Sequence, residues 1–186
     1  MTREDILEAA AQVFRQKGFH GASMNDIADA VNLQKASLYH HVSSKQEILV
    51  EILDQALQLL LERITSITNQ SISPDKKLKL MIREYLQILV DNIDLATVLL
   101  FEHRALERRQ QSRHIPNRDK FEGLWREVIS DGVRTKTFQC DDPALTARAL
   151  LGLLNWTITW FDPDGPKTIE EISDDYSRLL LNGLLK

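Results

Sequence analysis

The stretch from Ser23 to Leu49 constrains the fold of this chain more than any other. Ser23 stands before an apolar stripe of Ile27, Ala28 and Val31, spaced for one face of a helix. Asp26 lies three residues on, where an acid favours a helix N-terminus. Asn32 then tolerates the left-handed backbone that a tight turn needs. A second short helix is expected over 35–41, with Leu38 inward. Where two such helices cross, the contacts must be small or aliphatic, and Ala28, Val31 and Leu38 meet that need. The outward side of the second helix instead holds Gln34, Lys35, Ser37, Tyr39 and His40. Hydroxyls, phenols and imidazoles bond phosphates and base edges, whereas an ordinary helical corner carries plain charges outside. The pattern predicts a helix-turn-helix whose second helix enters the major groove of DNA. A plain helical corner is the alternative.

The rest reads as helix almost throughout, because no run alternates long enough for a strand. A first helix is expected from about Arg3 to Lys17, with Ile6, Leu7, Ala10, Val13 and Phe14 inward and Gly18 just past its end. Ser43 or Ser44 caps a fourth, running past Leu53 and Leu57 toward Ile64. The polar linker 69–75 ends with Pro74. Leu78, Ile82, Tyr85, Leu86, Leu89 and Ile93 mark a fifth helix, and 95–106 a sixth. Pro116 begins a seventh that stops near Gly132. Pro143 begins an eighth through Phe161, and residues 162–166 break it. A ninth covers about 168–185. The expectation is an all-α chain of about nine helices.

Charge and chemistry narrow the function. The 186 residues carry a formal charge of -4, so any DNA contact needs a local cluster. Within residues 1–50, Arg3, Arg15, Lys17, Lys35 and Lys45 are set against Glu4, Asp5, Glu8, Asp26, Asp29 and Glu47. That near balance predicts few released counterions and a shallow salt dependence. Cys140 is the single cysteine, flanked by Asp141 and Asp142, and reads as an unreactive thiol. Residues 1–11 are charged throughout, unlike a signal peptide. The apolar stretch from Ala149 to Phe161 falls short of the ~18 residues of a membrane span. A cytoplasmic protein without a membrane partner is expected. His40 and His41 are adjacent on a helix and point apart. There is no metal-spaced histidine pair, glycine-rich phosphate loop or Ser/His/Asp arrangement. No catalytic residue, metal or cofactor is expected.

The runs 18–28, 31–42 and 44–49 together resemble the TetR family of transcriptional regulators, with order, spacing and residue type agreeing over about 4–49. The resemblance implies a three-helix DNA-binding domain, residues 1–46, followed by a helical bundle for effector binding and dimerisation, residues 47–186. It implies that Ser23 and Met24 sit near phosphates. Gln34, Lys35, Ala36 and Ser37 would face base edges and nearby phosphates, and Tyr39, His40 and Lys45 would clamp phosphates. His41 either joins them or packs behind the helix. Asn32 replaces the usual turn glycine, and Gln34 a capping serine or threonine. Ala36 stands where glycine is common, its methyl suited to a thymine methyl. Val42 is smaller than the usual phenylalanine.

The eighth helix is apolar almost all round, so it is covered on most sides. The resemblance implies that it pairs with the ninth to form a four-helix dimer interface, through Leu150, Leu153, Leu154, Tyr176, Leu180 and Leu184. A two-fold protein suits a palindromic operator; completing the protomer core is the alternative. The stretch 102–120 is rich in arginine. Arg104, Arg108 and Arg118, with Phe121, Trp125, Trp156 and Trp160, are candidate effector contacts. The alternatives are a solvated helix end and plain core. Residues 150–185 resemble a TetR subgroup associated with fatty-acid, aromatic-acid and steroid catabolism, several members of which respond to acyl-CoA thioesters. An acyl chain would take an apolar cavity and the CoA phosphates the arginines. Competing readings are an efflux-type regulator of cationic or aromatic drugs, using Glu84 or Glu102, and a helical enzyme or interaction module.

Overall fold

The computed structural model describes Thr2–Leu184, with Leu184 by its backbone alone. Among the described residues there are nine α-helices and no strand: α1 Arg3–Gly21, α2 Met24–Ala30, α3 Lys35–Leu38, α4 Lys45–Thr68, α5 Pro74–Asp91, α6 Ile93–Thr97, α7 Arg108–Arg134, α8 Pro143–Trp156 and α9 Ile169–Leu184. A π-helical turn, Val98–Glu102, and a 3-10 turn, His103–Ala105, follow α6. They pack as two compact units. One comprises residues up to Gln58 with Asn92–Asn117; the other comprises Leu59–Asp91 with residues from Arg118 onward. A border at residue 46 would divide the chain linearly. The packing units are discontinuous, and α4 and α7 contribute to both.

In the first unit, α1 packs on α2, on α6 and on the π turn. Its core includes Ile6, Ala10, Phe14, Ile27, Leu38 and Ile48. Local signals fix the helix starts. Thr2 and Asp5 form a reciprocal capping box on α1, and Ser23 and Asp26 form another on α2. The Ser44 hydroxyl accepts the Glu47 N–H at 3.1 Å. Gly18, at φ 71 and ψ 157, kinks α1 where its end was expected, in a region only glycine occupies at low cost. Asn32 takes φ 54, and the Leu33 N–H closes the turn on the Ala28 carbonyl at 2.9 Å.

In the second unit, α5 packs on α8 and most extensively on α9. Tyr85 is buried, its ring 5.6 Å from Phe121 and 5.7 Å from Trp125 between centroids. Its hydroxyl donates to Asn155 Oδ1 at 2.5 Å, and burial pushes the phenol's pKa up.

Several borders differ from expectation; α8, expected through Phe161, ends at Trp156, and α5, expected to include Ile93, ends at Asp91. The helix expected over 35–41 ends at Leu38, and Tyr39–His41 form turns. The sixth helix is interrupted by the π and 3-10 turns. Helix α7 begins at Arg108, and Pro116 lies inside it. Its start is held by other groups: the Glu107 N–H donates to Gln110 Oε1 at 3.0 Å, and Gln111 Nε2 to the Leu106 carbonyl at 2.8 Å. Pro116 takes the helical donor from the Ser112 carbonyl. Both residues are exposed, so water can replace that bond.

Candidate nucleic-acid interface and effector cleft

Helix α3 is anchored from beneath by Leu38, fully buried, and by Val42 just beyond it. Its other side is open. Gln34, Lys35, Ala36, Tyr39 and His40 are exposed, Ser37 is half-buried, and Tyr39 keeps 47% of its surface. Six of the nine expected DNA contacts are therefore accessible on α3 and its two ends. No side chain caps α3 at Gln34, as its amide in place of a hydroxyl implied. His41 is half-buried.

The other three expected contacts have structural duties. Ser23 caps α2 and its hydroxyl bonds Asp26 Oδ2 at 2.6 Å. Met24 is buried in the core, so only its backbone is placed to meet a phosphate. Lys45 Nζ donates to the carbonyls of Phe19 and Ala22, each at 2.6 Å, and lies 4.5 Å from the Phe19 ring centroid. An ammonium has three donors, so one remains for a phosphate.

The other cations here are engaged as well. Lys17 pairs with Asp26 at 2.5 Å and Arg15 with Asp94 at 3.0 Å. Arg3 meets Glu47 and Glu51. Lys35 has no ion-pair partner among the described residues. The Ser43 and Arg3 donors hold the Glu47 carboxyl at about 2, and Lys17 with Ser23 holds Asp26 below the usual carboxylate range. Asp5, Glu8, Gln12 and Asp94, with Ala30, Val31 and Asn32 where α2 turns toward α3, line an open groove of about 520 Å³.

Within the same unit, α4 and α7 bound a cleft of about 250 Å³ lined by Leu53, Asp54, Leu106, Arg109, Arg113 and His114, among others. Arg113 Nη2 lies 3.6 Å from Asp54. The expected arginines, Arg104 and Arg108, are exposed and do not line it. Arg109 and Arg113 belong to the arginine-rich stretch 102–120 but not to the three arginines expected as effector contacts. With α7 starting at Arg108, these two are four residues apart and share a face.

In the second unit Arg118 is exposed, and Phe121 and Trp125 are buried against Tyr85. The Trp125 Nε1–H has no hydrogen-bond partner among the described residues. Trp156 and Trp160 are exposed at 64% and 48%, so these two do not close on Trp125. Leu150 and Leu154, expected at a dimer surface, are buried inside the protomer, where α8 turns them inward. Leu153, Tyr176 and Leu180 are half-buried, and the Leu184 side chain lies outside the described residues. Leu145 and Trp156 on α8 and Leu179 on α9 are the exposed large apolar groups of these helices. Among the described residues, no cluster of three or more His, Cys, Asp or Glu suits a metal ion, and no helix is long and apolar enough to cross a membrane.

Comparison with known proteins adds a family frame. Residues 6–52 match the model described as bacterial regulatory proteins, tetR family, and residues 71–184 match the tetracyclin repressor-like C-terminal domain. The HTH-type transcriptional repressor KstR2 of Mycobacterium tuberculosis (strain ATCC 25618 / H37Rv) is 28% identical, over 99% of this chain and 93% of that protein. The TetR family transcriptional regulator PfmR from Thermus thermophilus superposes with a TM-score of 0.88 at 36% identity, covering 97% of this chain and 99% of the other. AibR, solved in complex with isovaleryl coenzyme A and operator DNA, superposes with a TM-score of 0.90 at 28% identity, covering 96% and 97%.

Proposed function

Because this chain belongs to the tetR family of bacterial regulatory proteins, we propose that it is a homodimeric DNA-binding repressor, released from a palindromic operator by an effector of the acyl-coenzyme A class. The observation that carries the reading is the exposure of Gln34, Lys35, Ala36, Tyr39 and His40 on and beside a short helix anchored by Leu38. Lys35, Tyr39 and His40 hold phosphates, and Gln34 and Ser37 read base edges. Residues 1–46 do the reading, and residues 47–186 bind effector and partner. A regulator of chromosomal genes works in the cytoplasm.

Relatives support the effector class: the solved AibR complex holds isovaleryl coenzyme A with operator DNA. The Asp54, Arg109 and Arg113 cleft adds local chemistry, since an anionic group there competes with Asp54 for Arg113. Of the two acids a drug-binding alternative would use, Glu84 is paired with Arg63 at 3.4 Å, and neither Glu84 nor Glu102 is among the residues lining the α4–α7 cleft. Leu145, Trp156 and Leu179, with Leu153, Tyr176 and Leu180 at the margin, form the dimer surface.

The test is duplex selection from a random library, followed by anisotropy titration of the recovered operator. Tyr39→Ala is expected to weaken binding about tenfold or more, the effect of ~1.4 kcal/mol. An acyl-CoA series is expected to release the operator by roughly 5–150-fold in affinity, with free cationic drugs inert. Failure to recover any duplex would overturn the DNA reading, and release by a cationic dye alone would overturn the effector reading.

A further inference from the structure

Helix α3 spans four residues and lacks a side-chain cap. So short a helix cannot fix its own direction. Its direction must come from tertiary tethers, and one of them begins at the first residue of α1. Arg3 Nη1 donates to the main-chain carbonyl of His41, just past α3. Its Nε and Nη2 fork onto both carboxylate oxygens of Glu51, with Nε–Oε2 at 2.8 Å, and Nη2 also meets Glu47 Oε1. The second Glu47 oxygen accepts the Ser43 N–H at 2.6 Å and the Ser43 hydroxyl. Glu47 and Glu51 are one turn apart on α4. A single guanidinium thus ties α1, the exit of α3 and α4 together.

Charge alone gives this arrangement no purpose on a DNA-binding surface. Two carboxylates around one guanidinium leave a net negative charge close to a helix that must approach phosphates. The arrangement has a purpose if the fork sets geometry. We propose that Arg3 is a positioning residue for DNA recognition: with Glu47 and Glu51 it holds the His41 carbonyl, and so the direction of α3, without itself neutralising a phosphate. A planar fork does this and a lysine does not, since Lys offers a point charge on a flexible stem.

This inference rests on the DNA-binding reading, and its test separates the two. If the wild-type chain selects no duplex, that reading fails. If it does select one, the variants decide on Arg3. Operator and non-specific duplex affinities are measured by anisotropy across a salt series for wild type, Arg3→Lys, Arg3→Gln, Glu51→Gln and the double variant Arg3→Lys with Glu51→Gln. Thermal melting sets a temperature at which all are folded. Glu51→Gln removes a negative charge, so electrostatics alone predicts tighter operator binding. The tether predicts weaker operator binding, by about tenfold, while non-specific binding stays level or tightens. Arg3→Lys is expected to lose a similar factor despite keeping its charge, and the double variant to lose no more than either single one. Arg3→Gln is expected to leave the salt slope unchanged. Full operator affinity in Arg3→Lys, tighter operator binding in Glu51→Gln, or a slope lower by about two in the Arg3→Gln dimer, one per subunit, would each overturn the proposal. A variant that melts early is judged by its operator-to-non-specific ratio below its melting point, which a uniform loss of folded protein leaves unmoved.

Discussion

Gly132 shows how one missing carbon can decide local packing. It lies in the last turn of α7, and its carbonyl accepts the N–H groups of Thr137 at 2.8 Å and Phe138 at 3.0 Å. The chain thereby folds back, with Lys136 at φ 61, and lays the Phe138 ring where a Cβ on Gly132 would stand, 2.0 Å from Cδ2. In an open helix position, alanine for glycine stabilises by up to ~1 kcal/mol. Here the sign reverses. Gly132→Ala is expected to lower stability by roughly 1–3 kcal/mol, the usual cost of overpacking, measured by urea denaturation. The loss should shrink in a Phe138→Leu background, where the ring is gone. Equal losses in both backgrounds would mean that backbone strain, not the ring, opposes the methyl.

Among the elements, helix starts were the most legible in the sequence, because a cap is a local device. Ser23 and Ser44 each meet a partner three residues on, so pattern alone located α2 and α4. Asn32 and Gly18 were legible for the same reason: their backbone angles follow from residue type. The region 93–120 was not legible. Proline there is tolerated inside α7, and the π turn after α6 depends on packing against α1 that no local pattern encodes. The direction of α8 was hidden too. A helix apolar on all sides has no preferred face, so only the tertiary fold turns Leu150 and Leu154 inward and leaves Leu145 and Trp156 out. The caps also carry a pH dependence. Asp5, Asp26 and Glu47 have lowered pKa values, chiefly through hydrogen bonds from Thr2, from Lys17 and Ser23, and from Ser43. Their contribution is present above the ordinary carboxylate value, near about 4, and is lost as pH falls through the depressed values. Calorimetric melting should be level from neutral pH to about 5 and then fall steadily toward about 2. Asp26→Asn should melt earlier at neutral pH and show a shallower acid decline. A melting point that rises on acidification would contradict the role given to these caps.

For the whole molecule, the distribution of charge sets how DNA is found and held. The chain carries -4 overall, and the cations near the reading helix are mostly committed within the fold: Arg3 to Glu47 and Glu51, Arg15 to Asp94, Lys17 to Asp26, and Lys45 to two carbonyls. That leaves Lys35, and the third donor of Lys45, to displace counterions. Each neutralised phosphate contributes a slope of about -0.9 in log affinity against log salt. Two cations in each of two subunits therefore predict a slope near -4 at most, against about -10 for a strongly basic repressor. Anisotropy titrations of the selected operator between low and physiological salt measure it directly. Lys35→Gln should lower the magnitude by about two in the dimer, one unit per subunit, and Arg15→Gln should leave it unchanged. A wild-type slope near -10, or an equal drop in Arg15→Gln, would mean that the ion pairs open on DNA and the cations they hold are available after all. A shallow slope is the outcome expected if, as proposed, Gln34, Ser37, Tyr39 and His40 supply most of the free energy of operator binding by meeting their partners on both half-sites at once. A small change in the separation of the two reading helices then suffices to release the DNA, because little non-specific attraction remains to retain a dimer whose contacts no longer coincide.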